Sequence, residues 1–119
     1  MYIMEITTWQ AQLRKGAAEM AVLAVLASGE AYGLAILQRI GRTAGLQIRE
    51  GSIYPLLARL EKAGKITSRW VEDSDANHPR KYYALTDDGH QTLASMRNYW
   101  LSFRDALDGL IQTGDSDER

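Results

Sequence analysis

The stretch REGSIYPLLARLEKAGKI (residues 49–66) decides how the chain folds. Ile53, Leu56, Leu57 and Leu60 recur at i, i+3, i+4 and i+7, the spacing that lines one face of a helix, and Gly64 closes the pattern. The other face differs in character: Pro55, Arg59 and Lys62 lie on it, with Ser52 and Tyr54 at its edges. Pro55 limits where the helix begins, because only the first turn lacks intrahelical partners for its N–H groups. Ser52 as N-cap places the proline inside that turn, whereas a start near Glu50 requires local distortion around it. Both starts stay open, and the polar face is either solvated or turned to a partner.

Upstream, Trp9, Leu13, Met20, Leu23 and Leu26 recur at helical intervals over residues 8–28. The second half of this segment is apolar almost all round, which predicts a helix that ends buried, closed by Gly29. AYGLAILQRI (residues 31–40) sets Leu34, Leu37 and Ile40 on one face of a second, short helix, and residues 41–45 break it with two glycines. Downstream the period changes. ITSRWVE (residues 66–72) and RKYYALT (residues 80–86) are rich in β-branched and aromatic residues over strand lengths. The polar segment DSDANHP (residues 73–79) separates them, so a two-stranded hairpin with a longer loop is expected. Thr86 suits an N-cap, with Asp87 and Asp88 in the first turn of a final helix that runs to about Ile111.

In that last helix Leu93, Met96, Trp100, Phe103, Leu107 and Leu110 are separated by 3, 4, 3, 4 and 3 residues, the seam of a two-helix contact. About 25 helical residues span roughly 38 Å, more than a small core covers. The outer part is therefore expected to pack on a second copy of the chain.

At 119 residues, with 45% hydrophobic and 24% charged, the composition is that of one folded domain. The absence of cysteine excludes disulfides, thiolate metal sites and thiol nucleophiles. Residues 17–27, the longest nearly apolar run, are too few to span a bilayer and begin too late for a secretory signal, so no membrane partner and a cytoplasmic location are expected. No nucleophile motif accompanies His78 or His90, and two isolated histidines make no metal site; neither catalytic nor metal residues nor a cofactor is expected. The net charge of −1 hides an asymmetry: residues 31–82 hold nine basic and five acidic side chains, and the remainder is correspondingly acidic. A locally basic segment attracts a polyanion while the rest limits indiscriminate binding.

Three helices followed by a hairpin, with cations on the third helix and the hairpin, form the pattern of a winged helix-turn-helix. A helix fits the major groove of duplex DNA, and its N-terminal residues approach the base edges. Gly51 and Ser52 suit a phosphate through free N–H groups and the helix dipole. Tyr54 offers a hydroxyl to phosphate or a ring to a thymine methyl, although it also suits a cover over the second helix. Arg59 and Lys62 supply charge along the backbone, and Arg80 and Lys81 reach it as a wing does. Glu72, Asp73 and Asp75 beside the wing loop oppose a close contact there.

GSIYPLLARLEKAGKI (residues 51–66), RKYYALTDDGHQTL (residues 80–93) and AYGLAILQRI (residues 31–40) together resemble the PadR family of bacterial transcriptional regulators. The resemblance covers nearly the whole chain and matches the short members with one C-terminal helix. It implies a mainly α fold with a small β-hairpin: a winged helix-turn-helix over residues 1–86, a dimerisation helix over 87–112 and a flexible tail over 113–119. It implies a homodimer, formed through the first and last helices, that represses promoters bearing inverted repeats in double-stranded DNA. It also implies release by a small aromatic effector held by Leu13, Ala17, Met20, Leu93, Met96 and Trp100, where two Trp100 rings sandwich a flat compound. Trp100 as plain dimer core is the competing expectation. A winged-helix module that binds another protein instead of DNA is the rival reading of the basic face.

Overall fold

The computed structural model describes residues 5–43, 45–72 and 77–117, the last three without their side chains. Its elements run α1 (Ile6–Ala27), β1 (Ala31–Tyr32), α2 (Gly33–Gly41), α3 (Glu50–Lys62), β2 (Ile66–Val71), β3 (Arg80–Leu85) and α4 (Asp87–Asp117). α1 ends where Gly29 takes φ +143°, a conformation open to glycine and costly for other residues. The chain then enters β1, a two-residue strand that the sequence reading missed. β1 pairs antiparallel with β3, so the sheet has three strands in the order β1-β3-β2 rather than the two of a bare hairpin. Two residues are too few to show an alternating pattern.

The core forms where α1, α2 and α3 meet the inner face of the sheet. Val22, Leu23 and Leu26 of α1 pack with Ile36 and Ile40 of α2, Ile53, Leu56, Leu57 and Leu60 of α3, and Ile66 and Tyr83 of the sheet. Every α3 residue assigned to the core from its spacing is buried. Of the two starts that Pro55 leaves open, α3 takes the earlier one. The helix begins at Glu50 with Arg49 as N-cap, and the Ser52 N–H donates to the Arg49 carbonyl at 2.9 Å instead of Ser52 capping with its side chain. Pro55 thus lies in the second turn and leaves the Gly51 carbonyl without its i+4 donor. Gly51 is exposed, so water is available to that carbonyl.

Thr86 caps α4 as expected, its Oγ1 accepting from the Gly89 N–H at 3.0 Å. The same hydroxyl donates to the Gly64 carbonyl at 2.6 Å, and the Thr86 N–H donates to the Lys65 carbonyl at 3.1 Å. The turn after α3 is thereby tied to the start of α4. α4 continues to Asp117, past the boundary at Ile111, with Thr113 Oγ1 donating to the Gly109 carbonyl at 2.8 Å. Its 31 residues correspond to about 46 Å of helix. α1 packs against α4, and Leu93 and Met96 pack on the core.

Gly89 is buried where α4 crosses the turn after α3. A Cβ built there would come 2.0 Å from the Lys65 carbonyl oxygen and 3.1 Å from Leu85 Cδ2. Both the backbone and the cap bond would have to move. Gly89→Ala is expected to destabilise the protein by about 3 kcal/mol, the upper range for overpacking, read as a lowered denaturation midpoint. A midpoint unchanged from wild type would contradict the close approach.

Candidate nucleic-acid interface

The burial of Ile53, Leu56, Leu57 and Leu60 fixes the rotation of α3 and so selects what faces outward. Gly51, Pro55, Ala58 and Lys62 form the exposed crest, at roughly the opposite side of a helix with 100° per residue. Tyr54 and Glu61 occupy the flank toward the sheet, and Ser52 and Arg59 the flank toward α1. The helix therefore presents a narrow, cationic ridge with two unlike sides.

On the sheet side, Tyr54 is 47% exposed and its ring lies on the start of α2. A Cβ at Gly33 would fall 2.6 Å from Tyr54 Cε1, so glycine at the head of α2 makes room for the ring. Tyr54 thus covers the second helix and still exposes much of its surface. Beside it, Tyr32, Leu34, Trp70, His78, Pro79, Arg80, Lys81 and Tyr83 line an open cleft between α3 and the tip of the hairpin. Trp70, 69% exposed, pairs in register with Lys81, whose ammonium lies 5.9 Å from the indole centroid. Arg80 lies on the opposite face of β3, its guanidinium 4.3 Å above the Tyr32 ring.

Glu61 connects the α3 ridge to the hairpin. It accepts from Ser68 Oγ and lies 3.7 Å from Lys81 Nζ. Burial pushes the Tyr83 phenol above its ordinary range, and the Glu61 charge adds to the effect. On the outer face of the sheet, Arg69 forms two hydrogen bonds to the Glu30 carboxylate, which hold its guanidinium more firmly charged. The hairpin cations are thus partly neutralised from within. By contrast Arg59 and Lys62 on α3, like Arg49, Arg14 and Lys15, make no ion pair with any described residue. Exposed Glu72 stands beside the loop, while Asp73 and Asp75 lie outside the described residues.

The residues assigned to an effector divide into two groups. Leu93 and Met96 pack on the protein's own core, and Ala17 and Met20 are half-buried in α1. Leu13 and Trp100 are exposed at 50% and 41%. Each belongs to a row of exposed apolar residues at helical spacing, Ile6, Trp9 and Leu13 on α1 and Trp100, Phe103, Leu107 and Leu110 on α4. The Trp100 ring tilts against Phe103 at 6.4 Å, and Phe103 stacks with Tyr99 at 6.1 Å. The 3-4 seam therefore changes character along its length: its first turns complete the core, and Trp100, Phe103, Leu107 and Leu110 are exposed. Arg14 and Lys15 lie in α1, outside the basic segment of residues 31–82, and line a groove with Arg49 and Arg59.

Among the described residues no cluster of three or more His, Asp or Glu side chains is arranged to hold a metal ion. No described helix is long and apolar enough to cross a membrane. Comparison with known proteins identifies the architecture. The family described as Transcriptional regulator PadR-like matches residues 22–95. The crystal structure of a PadR family transcriptional regulator from Eggerthella lenta is 32% identical and superposes with a TM-score of 0.80, covering 89% of this chain and 91% of that one. A PadR-like transcriptional regulator from Bacillus cereus is 31% identical, with a TM-score of 0.76 and coverage of 85% and 97%. Bacillus subtilis PadR, crystallised with operator DNA, is 30% identical over 67% of this chain and 45% of that longer one, with a TM-score of 0.62.

Proposed function

The chain belongs to the PadR-like family of transcriptional regulators, and from that premise we propose that it is a two-fold dimer whose paired α3 helices enter successive major grooves of an inverted-repeat operator. The observation that carries the reading is the exposed ridge of α3, where Arg59 and Lys62 make no ion pair with any described residue while the apolar face beneath them is fully buried. An exposed helix with unneutralised cations suits a groove lined by phosphates. Gly51, Ser52 and Tyr54 at its N-terminal end approach base edges and the adjoining backbone. Arg80 and Lys81 act from the hairpin, with Lys81 giving up its Glu61 contact to do so.

Dimerisation follows from the apolar stripe. Trp9, Leu13, Trp100, Phe103 and Leu107 on one protomer need cover, and the same stripe on a second copy supplies it by symmetry. The heptad-like spacing of α4 suits helix-on-helix packing. Within such a dimer two Trp100 rings face a common axis, and a planar aromatic effector between them gains stacking on both sides. Such a ligand releases a repressor only by binding the DNA-incompetent arrangement more tightly than the competent one.

Three measurements test these readings. The first titrates the DNA upstream of the protein's own gene across salt concentration. Wild type is expected to bind with a steep negative log–log slope, and Arg59→Ala to reduce that slope by about two for a dimer that neutralises one fewer phosphate per half-site. A salt-insensitive interaction would favour a protein partner for the basic face. The second is sedimentation: Phe103→Glu places two carboxylates in the apolar seam and is expected to yield folded monomers, whereas a dimer of wild-type strength would remove α4 from the interface. The third uses tryptophan fluorescence with planar aromatic compounds. Quenching in wild type that is absent in Trp100→Ala is the expected result, and equal quenching in both would leave Trp100 as dimer core alone.

A further inference from the structure

We propose that the DNA contact continues beyond α3 into the groove between α1 and α3, where Arg14, Lys15 and Arg49 receive the phosphate strand on the side of the major groove away from the hairpin. This rests on the reading of α3 as the groove-entering helix. An α-helix with its side chains is about 10–12 Å across, and the major groove is about 12 Å wide, so a seated helix has a phosphate strand along each flank. The hairpin serves the flank that carries Tyr54. The flank that carries Ser52 and Arg59 opens instead onto α1.

That second flank forms a groove. Ala11, Arg14, Lys15, Ala18 and Glu19 of α1 face Arg49, Gly51, Ser52, Pro55 and Arg59 across it, with Gln47 and Ile48 at its end. Four cations stand there against the single carboxylate of Glu19. Arg14, Lys15, Arg49 and Arg59 make no ion pair with any described residue, so their charge is directed at no part of the protein. Small residues leave the groove open: Ala11, Ala18 and Gly51 are among its lining, and a Cβ at Gly51 would meet nothing within 4 Å. The groove shares Gly51, Ser52, Pro55 and Arg59 with the α3 ridge, so a duplex seated on the ridge already lies along it. Arg14 and Lys15 also lie off the apolar stripe of Ile6, Trp9 and Leu13, which keeps them clear of the surface assigned to the second copy. A polyanion that approaches as a rod past α3 fits these cations better than a small anion, because they line the length of the groove and do not surround one point.

The test uses the full-length dimer and two duplexes, the upstream operator and an unrelated sequence of equal length, titrated across salt. Arg14→Gln combined with Lys15→Gln keeps the aliphatic stems and removes the charge. The expected result is a log–log slope reduced in magnitude by three to four, about 0.9 for each of four phosphates that the dimer no longer neutralises. The affinity ratio between operator and unrelated duplex should be preserved, since phosphate contacts carry no sequence information. Arg14→Lys should retain the wild-type slope. Lys15→Gln alone, at an exposed position, should reduce the slope by about two and guards against misfolding of the double variant. A slope unchanged in Lys15→Gln and the double variant, with dimer mass and melting intact, overturns the extension while leaving α3 as the reader. Failure of wild type to bind either duplex at low salt overturns both.

Discussion

One constraint governs the rest of this molecule: the burial of Ile53, Leu56, Leu57 and Leu60 against α1, α2 and the sheet. Each such side chain contributes about 1.5–3 kcal/mol when removed from water. Together they outweigh the roughly 3 kcal/mol that a proline inside a helix costs. That balance explains why α3 begins at Glu50 and tolerates Pro55 in its second turn. It also sets the helix rotation, so the positions of Arg59, Lys62, Ser52 and Tyr54 relative to solvent are consequences of where the leucines go.

A second tie joins the end of α3 to the start of α4. Thr86 accepts from the Gly89 amide, donates to the Gly64 carbonyl, and through its own amide engages Lys65. One residue thereby closes the turn after α3, ends β3 and starts α4. Lys65 adds an ion pair to Asp88 at 2.8 Å, although both groups are partly exposed and a pair of this kind is worth about 1 kcal/mol or less. The direction of α4 is therefore set close to the end of α3. A shift in the direction of α4 thus reaches the end of α3 with little slack.

Charge is distributed with a division of labour. Cations on the hairpin have acidic partners at home, Arg69 with Glu30 and Lys81 with Glu61, and these bonds orient the sheet against the helices. Cations on α3 and along the α1 groove lack such partners among the described residues. An overall charge of −1 conceals this arrangement because the acidic excess resides elsewhere in the chain. Local potential, and not the sum, decides what a surface attracts.

Much of the fold was legible in the chain itself. The i, i+3, i+4, i+7 pattern of α3, the change to strand-like residues after Gly64 and the Thr86 cap each identify an element, because periodicity and capping depend on neighbours a few residues apart. The same local rules placed Arg59 and Lys62 on the outer face. β1 was not legible, since its two residues become a strand only by hydrogen bonding to Tyr82 and Tyr83, about fifty positions away. Nor could spacing show that the α4 seam divides at Met96, the inner turns joining the core and those from Trp100 onward left bare. Arg14 and Lys15 belong to the α3 flank for the same reason. Sequence determined which faces are apolar and which are cationic; only the packing of α1, α3 and α4 in space decided which faces meet, because contacts between distant segments depend on shape and burial that no local period encodes.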